Sequence, residues 1–280
     1  MIRAALPSHS FLRLLSAAIL FAVAAGCSRP PHGMVLIPAG AFTMGTDEVD
    51  TNKTGLSYGI VKPWFEDEHP KRIINLPAFY IDQYEATNEQ YQAFLVESNR
   101  RPPRYWVNNQ YPGGKERYPV SWVTWEDADA YCRWLGKSLP TEAQWEKAAR
   151  GTDGRIYPWG NEFDPAKANI GGSAGGSKPV GSYVAGKSPY GVYDMIGNVW
   201  EWTADWYEPY PGATLTGDFY QDKIGHHYKV IRGLSWSPIG HYDANDARAV
   251  EEYYARISYR LFYYPNDGLE DLGFRCVKPA

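Results

Sequence analysis

Apolar residues recur at helical spacing in three segments, each of which begins after a threonine. Thr87, Thr124 and Thr141 are suited to cap a helix, and a glutamine three residues after the first and the third completes a capping box. The pattern predicts one helix from about Asn88 to Glu97, a second after Thr124, and a third that starts after Pro140 and stops at Gly151. The apolar residues of their buried faces are Tyr91, Phe94 and Leu95, then Ala128, Tyr131, Cys132 and Leu135, then Trp145, Ala148 and Ala149.

Apolar runs near both ends of the chain predict strands. The run from Met34 to Gly45 contains a proline and glycine turn signal, so we predict an opening hairpin. Residues 72–84 form two further strands in this prediction, separated at Pro77. Residues 228–236 predict another strand. Residues 272–277 alternate as a half-buried strand does, and we expect this terminal strand to pair with the opening hairpin.

Residues 191–207 carry three tryptophans and follow neither the helical nor the strand period, so we predict a loop here. The side-chain oxygen atoms of Asp194, Asn198 and Glu201 need partners in a packed loop. A calcium ion would satisfy them, because it binds carboxylate and carbonyl oxygens from closely spaced positions. The alternative is a tryptophan-rich core loop whose carboxylates bond to backbone N–H groups or to arginines. Composition alone favours this alternative.

Composition indicates one irregular, turn-rich domain. The 280 residues include 27 glycines and 21 prolines, and 15% of the residues are aromatic. Such a chain is expected to contain many turns held together by large rings. The formal net charge of −4 provides no basic field, so we expect no nucleic-acid partner.

The amino-terminal residues predict export and a lipid anchor. Residues 1–26 combine flanking arginines with an apolar run that is too short to span a bilayer, and they end before Cys27. This pattern resembles a bacterial lipoprotein signal, in which Cys27 takes the lipid and residues 27–33 form a tether to a domain over residues 34–280. Ser28 favours an outer-membrane location facing the periplasm. An ordinary secretory signal is the alternative.

Lipidation of Cys27 would leave Cys132 and Cys276 as the remaining cysteines of an exported protein. We predict that they form a disulfide, since exported domains meet an oxidising compartment. Such a bond would stabilise the fold by roughly 2–4 kcal/mol. Two separately buried thiols are the alternative.

Nine blocks of sequence resemble the formylglycine-generating enzyme, or sulfatase-modifying factor, domain family. They follow the order of that family and occupy residues 37–45, 84–88, 119–122, 130–134, 139–146, 157–160, 197–202, 232–236 and 273–276. The resemblance implies a compact α+β domain with little regular secondary structure, related to C-type lectins. It also implies a disulfide at the positions of Cys132 and Cys276.

The resemblance further implies calcium ligands. A first site would use the Asp194 and Glu201 carboxylates with the carbonyl oxygens of Gly197 and Val199. A second site would use Asn169 and the carbonyl oxygen of Ile170. In this chain the glycine-rich residues 171–176 replace the loop that supplies the other ligands of the second site, and they include no carboxylate.

Formylglycine formation in the family needs two cysteines shortly after the block at residues 232–236, where they bind copper(I). No cysteine occurs between Ser237 and Phe274, and oxygen ligands replace thiolates poorly for this metal, so copper-dependent thiol oxidation is not expected. Replacement acid, base or metal-binding residues could come from the same region. The candidates are His241, Asp243, Arg248 and Glu251.

Three functions follow from these observations, and whether the chain is an enzyme stays open. The first is oxidative tailoring, similar to cysteine-less relatives implicated in maturing the siderophore pyoverdine, with an aromatic cleft formed by the tyrosine-rich residues 251–264. The second is non-catalytic binding of a small molecule, a glycan or a protein on a lectin-like scaffold. The third, formylglycine generation, is disfavoured by the missing thiols.

Overall fold

The computed structural model describes Met1 and residues 30–213, 215, 218–240 and 242–280. The predicted signal after Met1, the lipidation site Cys27 and the candidate His241 therefore lie outside the described residues. Within the described ranges, no helix has the length and apolar character needed to cross a membrane.

The three predicted helices are confirmed. Thr87 and Thr141 form complete capping boxes with Gln90 and Gln144, and Thr124 accepts a hydrogen bond from the Asp127 N–H. A further long helix, which was not predicted, begins after Asp243. The α-helices are α1 (Thr54–Ser57), α2 (Asn88–Ser98), α3 (Trp125–Trp134), α4 (Glu142–Arg150) and α5 (Ala244–Tyr254), and short 3-10 helices occupy Glu66–Glu68, Pro165–Lys167, Val184–Gly186 and Asp218–Tyr220.

Short strands form three small sheets. The strands are β1 (Met34–Ile37), β2 (Gly40–Met44), β3 (Arg72–Leu76), β4 (Phe79–Asp82), β5 (Trp200–Trp206), β6 (Lys229–Arg232), β7 (Leu261–Tyr263), β8 (Leu272–Gly273) and β9 (Val277–Pro279). The sheet orders are β1-β4-β9, β2-β3 and β7-β6-β5-β8. The fold is thus a mixed arrangement of helices and strands in which much of the chain is irregular.

The predicted opening hairpin is wrong. β1 and β2 do not pair with each other: β1 pairs with β4, and β2 pairs with β3. The segment that contains β1 and β2 therefore lies antiparallel to the segment that contains β3 and β4. The hydrogen bonding between the two segments is interrupted near Pro38 and Pro77, because proline has no N–H to donate. The chain ends do come together as expected, since β9 lies beside β4 in the sheet that contains β1.

The predicted loop over residues 191–207 is wrong in its second half. Trp200–Trp206 is strand β5, which lies between β6 and β8 in the four-stranded sheet. Its first four residues are all buried, so the alternation that marks a half-exposed strand is absent. The terminal strand is also divided, because β8 pairs with β5 and β9 pairs with β4.

One large core joins the helices to the sheets, and a disulfide closes it. Trp145 of α4 and Trp202 of β5 are fully buried in this core. Cys132 of α3 is bonded to Cys276, with an S–S distance of 2.04 Å and a Cα–Cα distance of 5.7 Å. The bond fastens the last strands of the chain to α3.

Candidate functional site

Loops that follow α2, β6 and the Asn169 region enclose a cleft of about 330 Å³. Its walls carry four aromatic rings and three charged side chains, those of Tyr105, Tyr118, Trp122 and Trp236 and of Lys115, Lys178 and Glu270. Trp236 ends the block after which the family has its two cysteines. By that resemblance, the cleft lies next to the segment in which the family carries these cysteines.

Trp122 is held in place by its backbone and by an arginine. Its φ of 59° lies in the left-handed region, which is uncommon for a bulky residue. Its N–H donates to the Leu269 carbonyl oxygen at 2.8 Å, and the Arg104 guanidinium lies 3.1 Å from the centroid of its ring. The indole is thus fixed as one wall of the cleft.

The other wall is supported behind Trp236. The Ser235 hydroxyl donates to Asp271 Oδ2 at 2.6 Å. Burial raises the pKa of the Asp271 carboxyl, and the hydrogen bond from Ser235 opposes this. The Trp236 N–H donates to the Asn198 carbonyl oxygen at 3.0 Å. The residues that make these contacts position Trp236, but they are not part of the cleft lining.

A buried acidic cluster lies behind the glycine-rich loop. Arg275 Nη2 lies 2.6 Å from Glu201 Oε1, and Arg275 Nε lies 2.7 Å from Glu201 Oε2. Trp145 Nε1 also donates to Glu201, at 2.9 Å. The Asp194 carboxylate accepts one hydrogen bond from the Gly181 N–H at 2.6 Å. The structure adds Glu85, whose Oε2 accepts a hydrogen bond from Asn198 Nδ2 at 3.3 Å.

The charges of this cluster do not balance. Arg275 neutralises Glu201, which leaves the carboxylates of Glu85 and Asp194 without a cationic partner of their own. Burial raises the pKa of Glu85 well above its usual range, and the nearby Asp194 charge raises it further. Burial also raises the pKa of Asp194, to about 6. Glu85 Oε1 is buried without a hydrogen-bond partner.

These residues fit a divalent cation, which would compensate two buried negative charges and satisfy Glu85 Oε1. In the part of the chain that the structure describes, no set of three His, Cys, Asp or Glu side chains is arranged to hold a metal alone. A calcium ion would therefore need carbonyl oxygens as well, as expected for Gly197 and Val199. Glu201 is already engaged on both oxygens by Arg275. The calcium site stays a prediction.

Asn169 and Ile170, expected at a second calcium site, lie next to this cluster. Asn169 Nδ2 donates to Gly176 O at 3.1 Å and to Asn198 Oδ1 at 3.2 Å, whereas its buried Oδ1 has no hydrogen-bond partner. Ile170 is buried in the core. An unpaired buried amide oxygen suits a cation, but the second site also stays a prediction.

The weak catalytic candidates are not gathered in the cleft. Asp243 caps α5, accepting hydrogen bonds from the N–H groups of Asn245 and Asp246. The Arg248 guanidinium lies 5.6 Å from the centroid of the Phe163 ring. Glu251 packs against Gly171, where an added Cβ would lie 2.3 Å from its Oε1. None of these three side chains lines the cleft of Trp236.

The tyrosine-rich residues 251–264 do not line the cleft of Trp236, although Tyr253 lines a different aromatic cavity. Tyr253 and Tyr259 are buried, and residues 261–263 form the edge strand β7. Sequence reasoning missed Glu85, Lys178 and Glu270 as site residues. Glu85 lies inside a recognised block, at residues 84–88, and this was the one signal that could have drawn attention to it.

Comparisons with known proteins agree with this architecture. A family model described as the sulfatase-modifying factor enzyme 1-like domain matches residues 21–280. The inactive C-alpha-formylglycine-generating enzyme 2 of Mus musculus is 31% identical, over 88% of this chain and 86% of that protein. The hercynine oxygenase of Mycolicibacterium smegmatis is 32% identical, over 72% of this chain and 54% of its own. The structure of PvdO from Pseudomonas aeruginosa has a TM-score of 0.64 and 28% identity, covering 88% of this chain and 94% of PvdO.

Proposed function

Because the chain belongs to the sulfatase-modifying factor enzyme 1-like family, we propose that it is an exported tailoring factor that oxidises a phenolic small molecule in the cleft of Trp236. It does so without the copper and cysteine chemistry of formylglycine formation. One observation carries the proposal: two tryptophans and two tyrosines line the cleft beside two lysines and one glutamate.

Each part of the lining has a role in this reaction. A phenolic ring stacks between Trp122 and Trp236, since aromatic pairs favour such contacts. Glu270 accepts the phenol proton, and the Lys178 ammonium stabilises the resulting phenolate, which gives up electrons more readily than the neutral phenol. For a hydroquinone, two protons and two electrons leave the ring to give a quinone. Dioxygen accepts the two protons and the two electrons and becomes hydrogen peroxide.

A bound calcium ion would support this cleft. It would neutralise Glu85 and Asp194 and thereby fix Asn198, whose side chain holds the backbone of Lys178. The chain is also proposed to be exported and anchored by a lipid on Cys27, at the periplasmic face of an outer membrane. The support is the order of arginines, apolar run and small residues before Cys27.

Non-catalytic binding in the same cleft is a second candidate. It is favoured because both cysteines of the described residues, Cys132 and Cys276, are bonded to each other. A relative named as an inactive enzyme also covers most of this chain. In this case the cleft holds an aromatic ligand and transfers no electrons.

A paired binding and oxidation experiment separates the two candidates. Hydroquinone is titrated calorimetrically into the calcium-loaded protein, and oxygen uptake is then followed with an electrode. Trp236→Ala should lose both binding and uptake, whereas Lys178→Met should bind but lose uptake. Trp134→Ala, an aromatic truncation away from the cleft, is the matched control. Binding without oxygen uptake in the unaltered protein supports the second candidate, and absence of binding contradicts both.

A further inference from the structure

Two adjoining cavities lie apart from the cleft of Trp236 and share no lining residue with it. Their volumes are about 550 and 280 Å³. Glu48, Ile156 and Arg256 line both, so the two spaces meet at these side chains. Together they form one elongated site, which we call the arginine-aromatic cavity.

The larger half is cationic. Arg150 is only 5% exposed and lines this half. Its Nη1 donates to the Gly45 carbonyl oxygen at 3.0 Å, and its Nη2 lies 3.4 Å from Glu146 Oε1. Its Nε is buried without a hydrogen-bond partner. Glu146 makes a closer contact, of 2.6 Å, with Arg232. The Arg150 guanidinium is therefore incompletely paired, and it retains positive charge beside this half.

Arg256 contributes a second positive charge where the two halves meet. Its Nη2 lies 2.6 Å from Glu68 Oε1, and its Nε donates to the Tyr253 carbonyl oxygen at 3.0 Å. These bonds fix the guanidinium beside the larger half. Lys71 also lines this half but is paired with Asp47 at 3.0 Å. Arg155, which is paired with Asp153 at 2.6 Å, lines this half as well. Four basic side chains and two acidic ones therefore line the larger half, which leaves it net positive.

The smaller half is aromatic. The rings of Trp64 and Tyr253 stack on each other at 4.0 Å with an interplanar angle of 9°, which holds both rings rigidly in the wall of this half. Five ring-bearing side chains line it in all: Tyr58, Trp64, Phe65, Tyr157 and Tyr253. A second planar ring can stack or pack edge-on here, as aromatic rings prefer.

We propose that the arginine-aromatic cavity binds a small aromatic monoanion, with its carboxylate beside Arg150 and its ring against Trp64 and Tyr253. Arginine donors are arranged to meet a carboxylate with two parallel hydrogen bonds. Glu252 lines the aromatic half alone, and its negative charge disfavours a second anionic group on the ring. The ligand therefore carries its charge at one end only.

Helix α5 forms one wall of this cavity through Ala249, Glu252 and Tyr253. The binding site does not depend on the oxidation proposed for the other cleft, because the two share no residue.

Calorimetric titration with phenylpropionate and with the uncharged phenylpropanol tests the proposal. The carboxylate should bind at least about tenfold more tightly than the alcohol, because a charge-assisted pair with arginine is stronger than a neutral hydrogen bond. Arg150→Lys keeps the positive charge but loses the planar set of guanidinium donors, so it should weaken phenylpropionate binding by about tenfold. Equal affinities for the two probes would overturn the assignment.

Filling the aromatic half provides an independent test. Ala249→Phe should reduce phenylpropionate affinity by at least about tenfold, since the new ring occupies the ligand's place. Ala247→Phe places the same ring two positions earlier on α5, away from the lining, and should leave affinity unchanged. Thermal melting confirms that both variants fold. Trp236→Ala should not alter phenylpropionate binding. Unchanged affinity in Ala249→Phe, or equal losses in both α5 variants, would contradict the proposal.

Discussion

The side chain of Asn198 holds both backbone polar groups of Lys178. Its Oδ1 accepts from the Lys178 N–H at 2.8 Å, and its Nδ2 lies 3.3 Å from the Lys178 carbonyl oxygen. The same Nδ2 donates to Glu85. A single carboxamide thus connects the buried acidic cluster to a charged residue of the cleft. Changes in the charge of the cluster should therefore reach the cleft.

Removal of calcium is expected to lower both stability and cleft affinity. A cation that binds only the folded state stabilises it by mass action, so chelation should reduce the melting temperature by several degrees and weaken hydroquinone binding. Differential scanning calorimetry with and without chelator measures the shift. Glu85→Gln should abolish most of the calcium-dependent shift, whereas the exposed Glu89→Gln should retain it. Identical melting curves with calcium and with chelator would contradict a calcium site.

Acid should destabilise the protein through a second buried cluster. Glu142 lies 2.6 Å from both Arg232 and Arg260. Burial alone would raise the pKa of Glu142, but the charges of Arg260 and Arg232 hold it below its usual value. A carboxyl whose pKa is lowered on folding stabilises the fold above its unfolded pKa, and this contribution is lost as the pH falls through the folded pKa. Stability should therefore fall below about pH 4.5, close to the ordinary glutamate pKa.

Glu142→Gln isolates this contribution. It leaves two buried guanidinium groups short of a partner, so we expect a loss of roughly 3–5 kcal/mol at pH 7 and a shallower pH dependence below pH 4.5. Urea unfolding at several pH values measures both. Glu126→Gln, at a side chain that is 79% exposed, is the control and should change little. A variant as stable as the unaltered protein at pH 7 would show that the pairing is worth far less than expected.

Cys27→Ala tests export and anchoring. If Cys27 carries the lipid, the unaltered protein should fractionate with membranes, and the variant should not, because the proposed anchor is covalent. Mass spectrometry of the peptide that begins at residue 27 measures the acyl groups directly. Ser28→Ala is a neighbouring control that should remain acylated. An unmodified Cys27 in the mature protein would exclude the anchor.

The sequence predicted the features that local chemistry determines. Helices α2, α3 and α4 were found because a threonine cap and a buried stripe lie within one short segment. The hairpin of β1 with β2 was wrong because its true partners, β3 and β4, lie far along the chain. β5 was missed because burial on both faces removed its alternation. Helix α5 was missed because its tyrosines suggested a cleft lining instead.

The candidate site was predicted only in part, because only some of its residues are close together in the sequence. Asp194 and Glu201 both lie in the segment 191–207, so their closeness was visible in the sequence. Glu85 joins them from a distant segment through Asn198, and Arg275 comes from the end of the chain to pair with Glu201. Only folding brings these charges together. The lining residues Lys178 and Glu270 were likewise invisible, because they come from separate irregular loops.

Oxygen uptake by the calcium-loaded protein with hydroquinone tests the central claim most directly. The account predicts uptake well above the protein-free rate, with hydrogen peroxide formed in equal amount. Uptake should be unaffected by copper and should fall about 10²-fold or more in Lys178→Met while hydroquinone still binds. Uptake at the protein-free rate, or uptake that requires added copper, would contradict it.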